Sequence, residues 1–497
     1  MTERAAGAGP AIVGFVVFAA ALWAQSDALV GVFYDDGIYI VGAKALAEGQ
    51  GYRNIHLPDP LPMVHFPFLY PVALSLLWRL WPAFPQNTAL FELFDAVALG
   101  MAAWVVAAQA RRMDLPPWVA WTVTGLGFTV FPLLTIVGVR FSEPLFLALA
   151  VGAVSVVDRE RPTARSAALA GLLAGLATLA RSIGVAVAAG VAVGFLVRRE
   201  WRLGALAAAV AAAAMLPWVL WVASHPPVAD PALAPNYGTY LSEARQAGIR
   251  AMVEGLDGRA LGALGRLALP PLPGPMGLAA RALLLMGVVF GVVRSFRRAP
   301  ALVATVALYT VVVSLWPFHP DRFMWIAVPW FGLLLAAGCH VAWSRGRPGR
   351  LAVAVVMALL AWGFGLRQIT SLSRRGFEAT AEGISRSFRV LVGSIRDEIP
   401  GDAIVAVVDE ALIYLYTGRA TVPSYVFRWR GRGTEPLGPD DAAAFYCRAG
   451  VTHIALTGPA ARTAPPVAGL LEPPEPTLLP LFQVTDGPSL HRFRCPG

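Results

Sequence analysis

Runs of about 17 to 25 apolar residues, most of them closed at one end by a group of arginines, recur along this 497-residue chain. A helix of that length crosses a hydrocarbon core of about 30 Å, and a chain built of such runs satisfies its backbone hydrogen bonds inside helices placed in lipid. Eleven runs are found, starting near Ala11, Ala89, Trp118, Glu143, Ser166, Ile183, Leu203, Ala282, Ala301, Phe323 and Leu351. Only 14% of the residues are charged, against roughly 25% in an average soluble protein, which excludes a soluble enzyme. Between Ala168 and Val197 a single arginine, Arg181, interrupts the apolar sequence. An arginine deep in lipid costs at least about 2.5 kcal/mol, so the chain is expected to break there into two helices.

The loops supply an independent count, because Lys and Arg accumulate on the cytoplasmic side of short loops. With the N-terminus inside, five inner loops carry Arg111 and Arg112; Arg159, Arg161 and Arg165; Arg198, Arg199 and Arg202; Arg294, Arg297 and Arg298; Arg345, Arg347 and Arg350. The three short outer loops carry one arginine each, Arg140, Arg181 and Arg322. The formal charge of +9 is thus a matter of topology, and no nucleic-acid partner is expected. Ala11 to Ala24 is read as the first membrane helix rather than a signal-peptide core, since Ala24 before Gln25 makes a poor cleavage site.

Three regions then lie outside: a first loop, residues 34–87, a second, Pro-rich loop, residues 223–280, and a hydrophilic tail, residues 376–497. The first loop is expected to hold two helices lying on the membrane surface, Ile38 to Ala47 and Tyr70 to Trp81. In the tail, helical spacing through Ile384, Phe388, Leu391, Val392 and Ile395 ends at Pro400, and a buried strand from Ala403 to Val408 follows. A helix from Glu410 to Tyr416, another near Ala442 to Arg448, and strands at His453–Thr457, Phe482–Thr485 and Leu490–Phe493 complete a small α/β domain. Cys447 and Cys495 lie in this outer part, where oxidation is permitted, and the sequence leaves their pairing open; Cys339 falls in an apolar run. Gly171 with Gly175, and Gly190 with Gly194, have the spacing of closely packed helices.

Zinc-protease, nucleophile-elbow, P-loop and dinucleotide-binding patterns are absent from the sequence. What marks a site is the gathering of costly ionisable residues on one face: Asp35 and Asp36 after the first helix, Arg140 and Glu143, Arg181, and His319, Asp321 and Arg322. Adjacent carboxylates repel, which raises the pKa of one of them and suits it to accept a proton. Asp35 is the expected base; Asp36 is placed either beside it in catalysis or as the N-cap of the helix that follows.

The stretch Tyr34-Asp35-Asp36-Gly37-Ile38-Tyr39, followed by Phe66-Pro67-Phe68-Leu69-Tyr70-Pro71, resembles the integral-membrane GT-C glycosyltransferases, in particular bacterial relatives of the protein O-mannosyltransferases and of the aminoarabinose transferase of lipid A. Later echoes are Phe141-Ser142-Glu143-Pro144-Leu145-Phe146, Leu179-Ala180-Arg181-Ser182-Ile183-Gly184 and His319-Pro320-Asp321-Arg322-Phe323, so that the resemblance covers roughly Ala11 to Ala342. It implies a polytopic α-helical protein of about eleven membrane helices in a bacterial inner (plasma) membrane, with residues 1–375 as the transferase domain and 376–497 as an extracytoplasmic α/β domain. The implied reaction is inverting transfer of a sugar from a polyprenyl phosphate to a lipid, glycan or protein acceptor, with an acid of the first loop, here Asp35, as base. Asp36 departs from the Asp-Glu pair of the mannosyltransferases, which leaves the acceptor open.

Arg suits bidentate recognition of phosphate oxygens, so Arg181 and Arg322 are assigned to the donor phosphate, joined by Lys44, the sole lysine of the chain. Glu143 and Arg140 are assigned to the acceptor or a divalent cation, or else to an ion pair with each other; Asp321 is placed at the same acceptor end, and His319 either there or as a structural residue at a helix end. No organic cofactor is implied. The competing reading is a transporter or flippase for a lipid-linked glycan, with the same arginines lining its path.

Overall fold

The computed structural model describes residues 3–158, 162–254, 256–316, 319–471 and 477–496, so Arg159 and Arg161 of the second arginine cluster lie outside the described residues. Each of the eleven apolar runs falls on a helix or a bent helix pair, from Glu3–Trp23 to Arg347–Leu360. Length and apolarity together qualify fewer of them as spans. Thr88–Met113, Trp201–Ser224, Gly274–Ser295 and Arg347–Ser373 pass, and Pro117–Phe128 with Phe131–Val137, bent by 54°, makes a fifth if the two are one span. Other apolar helices, among them Glu143–Val157, Ala164–Ala180 and Pro300–Leu315, have 10–17 residues and reach only about 15–26 Å at 1.5 Å per residue. The physical reason lies at their ends. Glu143–Val157 begins on a glutamate, Ala164–Ala180 stops at Arg181, and Pro300–Leu315 stops at Trp316 before the short helix Asp321–Trp325. The helices are cut short where the ionisable residues begin, and this leaves a recess among their ends.

Small residues set the helix packing. A Cβ on Gly171 would run into the Ala207 carbonyl oxygen, and one on Gly190 would lie 2.7 Å from Thr305 Cα, so both glycine pairs mark backbone contact, as their spacing predicted.

One expectation for the first loop is overturned. Leu69–Leu80 does keep an exposed apolar edge at Leu76 and Leu80, suited to a membrane surface. The helix expected at Ile38 to Ala47, by contrast, runs from Asp35 to Ala47 and buries every residue from Asp36 to Ala43 inside the protein. It has no polar face to offer to water because it packs on Leu69–Leu80 on one side and on Glu410–Thr417 of the tail on the other.

In the tail, Ala379–Glu398 lies beside a five-stranded sheet of order Ala420–Pro423, Ile404–Val407, His453–Leu456, Ser489–Phe493, Leu478–Gln483. The first three strands are parallel and the last two antiparallel to their neighbours. The edge strand Ala420–Pro423 was not anticipated, while the alternation of Arg428, Arg430 and Arg432 with Trp429, which suits a solvated strand or loop or a site for an anionic glycan, falls on the hairpin Phe427–Arg430 with Gly433–Pro436. On that hairpin Arg428 and Arg430 point to solvent, pairing with Asp441 at 3.8 Å and Glu435 at 3.0 Å. Cys447 and Cys495 form a disulfide that ties Pro439–Arg448 to the chain just beyond the strand Ser489–Phe493, while Cys339 is free and half-buried.

Candidate active site

Asp35, Glu143, Arg181 and Arg322 meet in the recess. Arg322 bridges two acids: its Nε donates to Glu143 Oε1 at 2.6 Å and its Nη1 to Asp35 Oδ2 at 2.8 Å. Arg181 Nη1 lies 2.8 Å from Glu143 Oε2 and donates to Ser142 Oγ at 3.1 Å, and Ser142 Oγ donates to the Tyr39 hydroxyl at 3.2 Å. The guanidinium of Arg322 stacks 3.8 Å from the centre of the Phe141 ring, which fixes its plane. Glu143 and Arg181 are buried, with 1% and 8% of their side chains exposed, whereas Asp35 and Arg322 keep 25% and 26%. The buried pair is therefore the frame, and the exposed pair is what an incoming molecule can rearrange.

Beside this cluster opens a cavity of about 140 Å³ lined by Tyr39, Phe66, Ile183, Tyr240, Trp316 and Arg181. Its wall is aromatic and aliphatic, and Arg181 brings a positive charge to it. Such a shape suits a molecule with an apolar tail and an anionic head.

The other sequence candidates sit elsewhere. Arg140 pairs with Glu92 and reaches the carbonyls of Ala28 and Ser26, so it holds the chain leaving the first helix and does not pair with Glu143. Asp321 pairs with Arg266 at 2.7 Å on the surface, and His319 is exposed. Lys44 bonds Glu48 one turn on and lies over the Tyr414 ring at 5.9 Å, at the far end of its helix from Asp35; the structure does not bring it to Arg181 and Arg322. A divalent cation does not fit the acids present. Both oxygens of Glu143 and Oδ2 of Asp35 already face guanidinium groups, and no three His, Cys, Asp or Glu side chains converge on a metal position among the described residues.

Asp36 is not an N-cap. The residue before the helix is Tyr34, and both carboxylate oxygens of Asp36 turn back to accept from the backbone amides of Gly31 at 2.6 Å and Phe33 at 3.0 Å. It is wholly buried, and burial pushes its pKa up to about 6; repulsion from Asp35 adds to this as a smaller cause. Charge repulsion was thus the lesser part of the effect expected from the acidic pair. Asp36 braces a turn. Tyr34 has φ 64° and ψ −67°, and Asp35 N donates to Phe33 O at 2.7 Å, which together make a γ-turn of the rare left-handed-region kind. A non-glycine residue in such a conformation costs on the order of 1–3 kcal/mol and persists only where its surroundings hold it. Asp35 is the first residue after that turn.

Two residues invisible in the sequence close the site, Glu243 from the second loop and His65 from the first. Glu243 is buried, and burial followed by the charge of Asp35 pushes its pKa up to about 8. His65 Nδ1 donates to the Gly238 carbonyl at 2.9 Å and lies 3.7 Å from Glu243 Oε1; burial lowers its pKa, so the ring is neutral. No sequence signal pointed to either, since a charge in a polar loop is ordinary. Tyr39 and Ser142, on the other hand, stood inside stretches already singled out.

No protein-family model matches the chain, and no curated protein matches its sequence. Solved structures do match. ArnT from Cupriavidus metallidurans in the apo state superposes with a TM-score of 0.57 at 13% identity, over 97% of this chain and 97% of that one. The same protein bound to undecaprenyl phosphate gives 0.53 at 13% identity, over 97% and 96%. The archaeal oligosaccharyltransferase AglB from Archaeoglobus fulgidus, in complex with an inhibitory peptide and a dolichol-phosphate, gives 0.55 at 11% identity, over 90% and 69%. The chain shares the fold of ArnT and AglB, which is the kind of fold that the resemblance in its first loop implied.

Proposed function

We propose that the protein transfers a sugar from a polyprenyl phosphate to an acceptor hydroxyl, with inversion at the anomeric carbon, on the outer face of a bacterial inner membrane. The observation that carries this reading is the bridge of Arg322 between Asp35 and Glu143, next to an apolar cavity walled by Arg181. A polyprenyl chain fits the apolar wall, and its phosphate fits the two guanidinium groups that Glu143 holds in place. ArnT, of the same fold, is solved with undecaprenyl phosphate, which agrees with a lipid phosphate as donor.

The steps follow from charge. Donor phosphate draws Arg322 away from Asp35, because a phosphate oxygen and a carboxylate compete for the same N–H groups. Asp35 is then free to accept the proton of the acceptor hydroxyl. The hydroxyl oxygen forms the new bond to the anomeric carbon, the bond from that carbon to the phosphate oxygen breaks, and polyprenyl phosphate leaves with one more negative charge. Arg181 and Arg322 stabilise that developing charge. A single displacement inverts configuration. The acceptor approaches past Glu243, whose neutral carboxyl at pH 7 adds no second charge beside the base.

The topology that goes with this reading puts the N-terminus in the cytoplasm and residues 376–497 outside. Reporter fusions after Arg199 and after Thr434 are expected to report opposite compartments. The same compartment for both would contradict it. For the reaction itself, purified protein is incubated with a panel of polyprenyl-phosphate sugars. At least one donor is expected to lose its sugar, and a panel that stays intact with every acceptor class would count against the proposal.

A further inference from the structure

Resting on the reaction just proposed, we propose that Glu410 is a positioning residue: through it the tail domain holds the turn that aims Asp35. The helix that Glu410 opens, Glu410–Thr417, grips the chain on either side of Asp35 at three points. A Cβ on Gly31 would meet Leu412 Cβ at 2.7 Å, and one on Gly37 would meet Ala411 Cβ at 3.0 Å, so backbone and helix are in direct contact on both sides of the γ-turn. Val30 N donates to the Tyr416 hydroxyl at 3.1 Å. From the neighbouring helix Ala379–Glu398, Ser385 Oγ accepts from Leu29 N at 2.8 Å. Gly31 itself has φ 100°, a conformation that leaves no room for a side chain to take over the contact.

Beneath this grip lies a buried polar chain that joins three parts of the molecule. Tyr237 of the second loop donates its hydroxyl to Glu410 Oε1, and His56 Nε2 of the first loop lies 2.8 Å from the same hydroxyl. Burial pushes His56 down to about 3, so its ring is neutral and Nε2–H donates to Tyr237. Thr421 of the edge strand closes the loop, donating Oγ1 to the Glu410 carbonyl at 3.0 Å and its backbone N to the His56 carbonyl at 2.8 Å. The Tyr34 hydroxyl, on the residue at the centre of the γ-turn, is buried close to Glu410 and Tyr237 without a hydrogen bond of its own to either. Glu410 is fully buried. A carboxylate placed there satisfies Tyr237 and fixes the floor on which Tyr34, and hence Asp35, rests. No part of it reaches Arg181, Arg322 or the cavity, so its action on the reaction is through geometry alone.

The test uses the full chain with Glu410→Ala, Glu410→Gln and Tyr237→Phe. Misplacing a reacting group by about 1 Å costs about a hundredfold in rate, so Glu410→Ala is expected to lower kcat by about that factor with donor affinity unchanged. Tyr237→Phe should lower it by less, and Glu410→Gln, which keeps an acceptor for Tyr237, should restore most of it. Amide hydrogen exchange supplies a second readout: in Glu410→Ala, residues 29–36 are expected to exchange faster while the strands at 404–407 and 453–456 stay protected. Unchanged exchange at 29–36, or donor affinity falling together with kcat, would overturn the proposal. A wild-type protein that transfers no sugar would remove the reaction reading instead, and the exchange result would then decide alone whether Glu410 holds the turn.

Discussion

Asp35→Asn is expected to lower the rate of sugar transfer by about 10²- to 10⁴-fold, the span over which a positioned general base contributes. Donor affinity should hold or improve. The amide keeps the shape of the side chain but gives up the charge that now occupies Arg322 Nη1, so the donor phosphate meets less competition for that guanidinium. A loss confined to turnover separates a base from a binding residue. Asp36→Asn behaves differently, because Gly31 N and Phe33 N each need an acceptor and an amide offers only one. One buried N–H is left without a partner at a cost of about 1–3 kcal/mol, so this variant is expected to lose thermal stability as well as rate. If Asp35→Asn turns over at the wild-type rate, the first loop does not supply the base.

The second large effect concerns the two arginines, and burial predicts that they differ. Arg322→Ala removes the less buried partner and leaves Glu143 paired with Arg181. The protein should fold, and donor binding should weaken by about 1.5–3 kcal/mol, the range for hydrogen bonds to charged groups, or roughly ten- to a hundredfold. Arg181→Ala takes the buried partner from a glutamate that is itself 1% exposed. Breaking a buried pair from one side costs about 3–5 kcal/mol when the charge left behind has no other partner; Glu143 keeps Arg322 at 2.6 Å, so the loss is expected to fall below that range but to exceed that of Arg322→Ala. Arg181→Lys keeps the charge and should recover stability more fully than donor affinity, since an ammonium cannot make the planar paired contact. Thermal melts and donor titrations on the three variants check this together. Equal stability of Arg181→Ala and wild type would mean that Glu143 is not held as described, and unchanged donor affinity in Arg322→Ala would return that arginine to a purely structural role.

Legibility in the sequence followed the physical cost of each feature. Arg181, Glu143 and Arg322 stood out because a charge beside apolar helices demands a reason, and the structure gives all three the same one. The apolar runs stood out likewise, although their lengths overstated the helices: the site consumes the ends of several, so Ala164–Ala180 and Pro300–Leu315 are shorter than a full span. Glu243, His65 and Glu410 were silent, because a polar loop or a soluble domain carries such residues freely and only the fold buries them. Asp36 was misread for a related reason. An aspartate just ahead of an apolar helix has the pattern of a cap, and nothing in Phe33-Tyr34-Asp35 announces a γ-turn, which usually asks for glycine or asparagine at a positive φ. Lys44 drew attention by its rarity, which is a property of composition and not of position. The strand Ala420–Pro423 was hidden by its brevity and by its terminal proline, which an edge strand tolerates.

The central claim is that the Asp35–Arg322–Glu143–Arg181 centre cleaves the bond between sugar and lipid phosphate, rather than carrying the intact lipid across the bilayer. Its most direct measurement is made in sealed proteoliposomes holding the purified protein and a polyprenyl-phosphate sugar, with acceptor present, by following free polyprenyl phosphate and glycosylated acceptor over time. The account predicts that the two appear together in equal amounts, that the product has inverted anomeric configuration, and that Asp35→Asn slows both signals by about 10²- to 10⁴-fold while still binding the donor. Movement of the sugar-lipid between leaflets with no free polyprenyl phosphate formed would contradict it.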